Sequence, residues 1–233
     1  LLLAVGVWRQ SDPSRQAFGM VQQCLQWTAE AGVRQYSVTA IVHLPVVGRT
    51  EGMAELYVDG AQRFAFRRPT VPPLGDVWVG GNEREEWIVL PQGPILIVNE
   101  KMLQNWIIDN EDFPTPYLQV TTVLHRMSQH YDLEILPDTY LELPGQLDQK
   151  VHCRRVRGVL RDSIWSRPST IDLWTDLDDG TVRRLILDWQ LKPGEFGRSK
   201  VSIDFVGHKE LPPDWFEHSA HHGDGRLVLR MPP

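Results

Sequence analysis

A chain of 233 residues that is 42% hydrophobic and 23% charged has the makeup of a globular protein with a substantial core. Its formal net charge of −6 implies no broad basic surface, so nucleic acid is not an expected partner. Two cysteines, Cys24 and Cys153, match no metal-binding spacing. They read as buried thiols, with a disulfide as the alternative if the first helix lies against the strand holding Cys153.

The chain opens with an apolar run from Leu1 to Trp8, which Arg9 ends. Eight residues cannot cross a bilayer, which takes about 20. The expectation is that residues 1–9 are the tail of an apolar anchor or signal segment, and that residues 10–233 form one domain outside the cytoplasm. A short buried strand or helix start is the alternative reading.

Ser11-Asp12-Pro13 is a helix start, and Ala17, Val21, Cys24, Leu25 and Thr28 follow at helical spacing, so a helix is expected over about 13–30. From Tyr36 the period changes to two: Tyr36, Val38, Ala40 and Val42 alternate with Ser37, Thr39 and Ile41. Strands are expected again from Met53 to Val58 and Arg63 to Arg67, joined by an Asp59-Gly60 hairpin turn. Val77-Trp78-Val79 and Glu86 to Leu90 flank Gly80-Gly81-Asn82, read as a second hairpin turn, and Ile95 to Val98 is a further strand. Thr115-Pro116 opens a second helix in which Tyr117, Val120, Leu124, Met127 and Tyr131 form one apolar face. Strand patterns resume at 133–136, 140–143, 151–160, 170–175, 182–189 and 200–206, with Asp178-Asp179-Gly180 as a hairpin turn. Residues 211–222 read as a loop or helical turn, and 227–229 as a last strand.

About ten strands joined by short turns favour antiparallel pairing. No regular alternation with helices appears, which disfavours a parallel sheet. The sequence carries no nucleophile elbow, no phosphate-cradling loop and no dinucleotide fingerprint, so the expectation is a binding module, not an enzyme. The one metal candidate is His218, His221 and His222, whose spacing would put two imidazoles on one side of a helix; a solvated polar tail is the better reading, because Gly223 and Gly225 break the segment. Glu83, Glu85 and Glu86, and Asp176, Asp178 and Asp179, sit at or near hairpin tips and read as solvated turns. Arg154, Arg155 and Arg157 read as a charged outer face, with an anionic head-group contact as the alternative.

The most telling feature is distributed. Tyr57, Phe64, Phe66, Trp78, Trp87, Trp174 and Trp189 fall in or beside strands, and 93–98 and 185–187 are apolar at both alternating positions. A sheet with one wet face should alternate cleanly. Apolar residues on both faces fit either a cavity for an acyl chain or apolar peptide, or a well-filled core.

The order of motifs resembles the LolA/LolB-type lipoprotein-carrier fold, shared by the periplasmic sigma regulator RseB. Gly52-x-Ala54-x-Leu56-Tyr57-Val58 with Phe64-x-Phe66 looks like its second and third strands. Asp76-Val77-Trp78-Val79-Gly80-Gly81-Asn82 leading to Trp87-Ile88 looks like its central hairpin, and Thr115 to Leu118 like the helical insert that follows. Ile171-x-Leu173-Trp174-Thr175-Asp176 with Gly180 to Leu185 looks like the late hairpin, and Leu211 to Phe216 like the closing segment. The likeness spans about residues 13–217. Where the carriers have an Arg-Pro-Asn turn, this chain has Asp59-Gly60-Ala61-Gln62, so the carriers' release arginine has no counterpart here.

The resemblance implies a mainly β (α+β) fold: one large curved antiparallel sheet, an open half-barrel, with two or three helices plugging its concave face. It implies a periplasmic domain, soluble or anchored to the inner membrane, with no cofactor and no catalytic residues, whose partners are lipid, lipoprotein acyl chains or an envelope protein. The candidate cavity residues are Tyr57, Phe64, Phe66, Trp78, Trp87, Ile95, Ile97, Tyr117, Leu124, Leu173 and Leu185. The alternative is a membrane-tethered sensor or interaction domain of anti-sigma or envelope-stress type, with a packed core and no lipid ligand.

Overall fold

The computed structural model describes residues 13–30, 32–44, 46, 48–70, 75–98, 120–143, 146–162, 167–189 and 197–231. Helix α1 (Pro13–Ala29) leads into a long hairpin of β1 (Val33–Leu44) and β2 (Gly48–Asp59). Strands β3 (Arg63–Arg68), β4 (Val77–Gly81), β5 (Glu86–Val89) and β6 (Ile95–Val98) follow as a meander. Helix α2 (Val120–His130) precedes β7 (Tyr131–Leu143), β8 (Gln146–Leu160), β9 (Thr170–Asp176), β10 (Val182–Asp188) and β11 (Gly197–His208). A 3₁₀ turn (His218–His221) and a short strand β12 (Val228–Arg230) close the chain.

All twelve described strands lie in one sheet, ordered β12-β6-β5-β4-β3-β2-β1-β11-β10-β9-β8-β7. The pairing is antiparallel except for β12, which runs parallel to β6. The sheet is open, and it curls: β7 and β11 approach each other although β8, β9 and β10 lie between them in the sheet. Both edges are blunted, as open sheets require to avoid pairing with other chains. Strand β7 carries Pro137 where its register with β8 shifts between Leu136 and Thr139, and β12 is three residues long. The long β7 appears where two short strands, 133–136 and 140–143, were expected; the chain passes Pro137 as an irregularity within one strand because β8 continues alongside it.

One face of the sheet takes the helices. On β1, Tyr36, Val38 and Ala40 point to it; in the neighbouring register positions stand Leu56 and Ala54 of β2 and Phe205, Ile203 and Val201 of β11. The row continues through Leu185 of β10, Leu173 of β9 and Val156 of β8. Helix α1 buries Ala17, Val21, Cys24 and Leu25 here, and α2 buries Val120, Val123, Leu124 and Met127 at spacings of three and four. Gly158 lets α2 approach closely: a Cβ there would lie 3.3 Å from Met127 Cε and 3.0 Å from Tyr131 Cβ. Arg34 fixes the exit of α1. Its buried guanidinium donates to the carbonyls of Trp27 (2.8 Å) and Glu30 (3.2 Å), backbone groups that a helix end leaves unpaired.

The opposite, outer face is also partly covered. Tyr57, Ala65, Trp87, Val89, Ile95 and Ile97 form a second apolar cluster there, and Phe216, Trp215 and Leu211 of the C-terminal segment pack onto it. This is why β4 to β6 lack clean alternation: each of their faces has a cover.

Candidate functional site

The described candidates divide between the two faces. Phe64, Phe66, Leu124, Leu173 and Leu185 belong to the helix-covered cluster, and all five are buried. Tyr57, Trp78, Trp87, Ile95 and Ile97 lie on the outer face with the C-terminal segment. They cannot line one cavity with the first group, and the register says why: Tyr57 stands opposite Ala65, whereas Leu56 stands opposite Phe66 and Val58 opposite Phe64. One strand position separates the two faces. Tyr117 lies outside the described residues.

The helix-covered face is continuous from Val79 and Ile88 through Phe66, Leu56, Tyr36, Ile203, Leu185 and Leu173 to Val156. Phe66, Leu124, Leu173 and Leu185 are fully buried, so helix and sheet side chains meet without an open channel between these four. An opening exists at one end. A cavity of about 200 Å³ lies between α1 and the β9–β10 hairpin, walled by Met20, Cys24 and Trp27 on one side and by Thr175, Asp176 and Gly180 on the other. Cys24 is itself a member of the core cluster, so the cavity abuts the apolar interior there, while Gln23, Arg154, Thr175 and three aspartates make most of its lining polar. Asp178 and Asp179 stand at its mouth, and Arg183 holds the buried Asp176 carboxylate at 2.6 Å. Asp176 is therefore a structural anchor, not the solvated turn residue that its place beside a hairpin tip suggested.

The outer face is dominated by an aromatic cage. His221 stacks on Trp78 at 4.0 Å and on Trp87 at 5.0 Å, and meets Trp215 edge-on at 5.0 Å. Its Nε2–H donates to the Trp215 carbonyl at 2.7 Å. Burial pushes the imidazole pKa down to about 4, against the opposing pull of that carbonyl. His218 Nδ1 and His222 Nε2 lie 3.1 Å apart, but His221 is committed to the cage. The three histidines do not converge, and among the described residues no group of three His, Cys, Asp or Glu could hold a metal ion. The reason is nonlocal: aromatic residues of β4 and β5 capture the middle histidine.

Gly80 and Gly81, expected in a turn, are the last residues of β4. The turn is made by Asn82, whose Oδ1 accepts from the N–H groups of Arg84 and Glu85. Asn82 Nδ2 and Trp87 Nε1 both donate to the Phe216 carbonyl, which ties the C-terminal segment to the hairpin.

At the other end of the outer face, Arg155 and Arg157 share the Asp172 carboxylate at 2.8 Å each, and Arg155 covers the Trp174 ring at 4.7 Å. Arg154 points the other way and pairs with Asp138. The basic cluster is thus largely neutralised. Cys153 packs with Leu141 and Trp174 on this outer side, whereas Cys24 of α1 packs against the helix-covered face, so the sheet separates the two thiols and both are free.

No family model and no curated protein matches the chain. Among solved structures it is similar to an uncharacterized conserved protein from Thermus thermophilus, at 12% identity and a TM-score of 0.50, over 91% of this chain and 98% of that one. Also found are MucB (12% identity, TM-score 0.49, 89% of this chain and 64% of that one) and the LolA superfamily protein NE2245 from Nitrosomonas europaea (9%, 0.39, 86% and 96%). At these identities the likeness is one of fold: an open, curved antiparallel sheet with helices against one face.

Proposed function

We propose that this domain is a noncatalytic binding module that acts outside the cytoplasm and holds an apolar ligand, a lipid or lipoprotein acyl chain or an apolar peptide, between the curved sheet and its helices. The observation that carries this reading is the continuous apolar face between sheet and helices, which a small cavity beside α1 touches at Cys24. At about 200 Å³ the cavity is smaller than the roughly 300–1,000 Å³ of common ligand sites. Admitting a long chain therefore requires α1 to lift from the sheet. Both helices bury four apolar residues, but only α1 walls the cavity, so α1 is the cover whose displacement would enlarge it.

A fluorescent fatty acid added to the protein should be bound and then displaced by unlabelled lipid, and native mass spectrometry of protein purified from cells should show a lipid adduct. Absence of both would sink the reading. The full burial of Phe66, Leu124, Leu173 and Leu185 favours a second reading, a protein-interaction or sensor domain whose interior is only a packed core. It predicts no displaceable lipid together with retention of a protein partner from an envelope extract.

A further inference from the structure

The C-terminal segment 211–231 crosses the outer face on a small number of fastenings. Arg63 donates to the Pro213 carbonyl and lies over the Phe216 ring at 4.7 Å. Trp87 and Asn82 donate to the Phe216 carbonyl. Arg226 donates to the carbonyls of Leu90 and Gly93, Arg230 pairs with Glu85 at 2.9 Å, and β12 docks on β6 through its parallel pairing, flanked by the bonds Ile95 N–H to Leu227 and Met231 N–H to Ile97. Between the Phe216 and Arg226 fastenings the main hold is the His221 ring in the Trp78, Trp87 and Trp215 cage, with His218 Nε2 3.9 Å from a Glu85 carboxylate oxygen beside it.

We propose that segment 211–231 is an acid-released strap, which covers the outer-face aromatic surface at neutral pH and lifts from it as His221 takes up a proton. The cage suits a neutral ring. One imidazole nitrogen is spent on the Trp215 carbonyl, and the rest of the ring is enclosed by indole faces. Charged groups surround the cage on every element packed against it. Arg67 lies over Trp78 and is paired with Asp76 and Glu55; Glu85 flanks Trp87, pairs with Arg230 and lies 3.9 Å from His218, a contact that acid would strengthen and that opposes release; Tyr57, bonded to Glu55, packs on Trp215; Asp214, His218 and His222 belong to the strap itself. Most of these carboxylates already hold an arginine, which leaves Asp214 as the charge that favours an imidazolium. Burial outweighs it and holds the pKa near 4, below the ordinary 6.5. The sign follows from this: the docked strap prefers the neutral ring and the released strap does not, so docking is full above pH 6.5 and weakens as pH falls toward 4. The indole faces also attract a cation, and the ring is partly exposed, so the effect is reduced to about a tenfold rise in strap opening at pH 5. Release would bare Trp78, Trp87 and Ile97 and leave the edge of β6 open for another strand.

The test is hydrogen exchange read by mass spectrometry at pH 7.5 and 5.0, with rates normalised to an unstructured reference peptide. Residues 211–231 should open about tenfold more at pH 5.0 while β1 and β11 keep their protection. His221→Phe should fill the cage without titrating and give equal strap protection at both pH values; His221→Gln carries the same expectation if the Phe variant does not fold. Equal protection of the wild-type strap at both pH values would overturn the proposal. So would the same acid opening in the non-titrating variants, or loss of protection in β1 and β11 together with the strap.

Discussion

The Trp87 indole lies across the backbone of Gly80, its partner on β4: a Cβ at Gly80 would stand 2.2 Å from Trp87 Cζ2. Only glycine leaves room for the ring, and the same ring donates from Nε1 to the Phe216 carbonyl. Gly80→Ala must therefore push the indole out and loosen the C-terminal segment. The expected loss is about 2–3 kcal/mol, from overpacking plus one strained buried hydrogen bond, read as a lower urea midpoint. Gly80→Ala combined with Trp87→Leu should lose less than the sum of the two single changes, because the clash is gone.

Arg34 joins α1 to β1. Replacing it with Ala removes the guanidinium from the carbonyls of Trp27 and Glu30 and leaves them short of donors. A loss of about 2 kcal/mol is expected. Lys should restore only part of it, because one ammonium cannot reproduce the planar fork. Unfolding followed by helix-sensitive circular dichroism checks both changes.

Asp172 is the hub of the outer charged row. Burial alone would raise its pKa, but the hydrogen bonds from Arg157 and Arg155 outweigh burial and leave it lowered. A depressed carboxylate contributes stability above its unfolded value, about 3.8, that is lost as pH falls through the folded value. Wild-type stability should thus drop below about pH 4. Asp172→Asn should be less stable at pH 7 by about 2 kcal/mol, and its loss on acidification should be shallower.

The two thiols should behave as unlinked, buried groups. Burial pushes Cys24 up to about 12, and burial with the Asp176 charge pushes Cys153 up to about 11. A thiol reagent at pH 8 should react slowly with the native protein and count two thiols once it is unfolded. A count of zero after unfolding without reductant would mean a disulfide and contradict this placement.

Much of the fold was legible because its signals are local. The alternation from Tyr36 to Val42, the Asp59-Gly60 turn and the helical spacing from Ala17 to Thr28 each act within a few residues. What escaped depends on partners far along the chain. Gly80 looked like a turn glycine because nothing nearby shows that Trp87 will lie over it. His221 looked like a tail residue because its cage comes from Trp78 and Trp87, more than 130 positions earlier. The candidate cavity mixed two faces because alternation separates the faces of one strand without saying which is inside. The Asp59-Gly60 signal does not fix that register: the turn is Gly60-Ala61-Gln62, Asp59 stays in β2 opposite Arg63, and this pairing sets Tyr57 opposite Ala65, away from the face of Phe64 and Phe66.

The central claim is that an apolar ligand sits on the helix-covered face. A fatty acid carrying a photoreactive diazirine near its chain end, crosslinked to the native protein and mapped by peptide mass spectrometry, tests it most directly. The account predicts adducts on α1 around Met20 and Cys24 and on strands around Phe66, Leu173 and Leu185. No adducts, or adducts confined to the outer face around Trp78, Trp215 and Phe216, would contradict it.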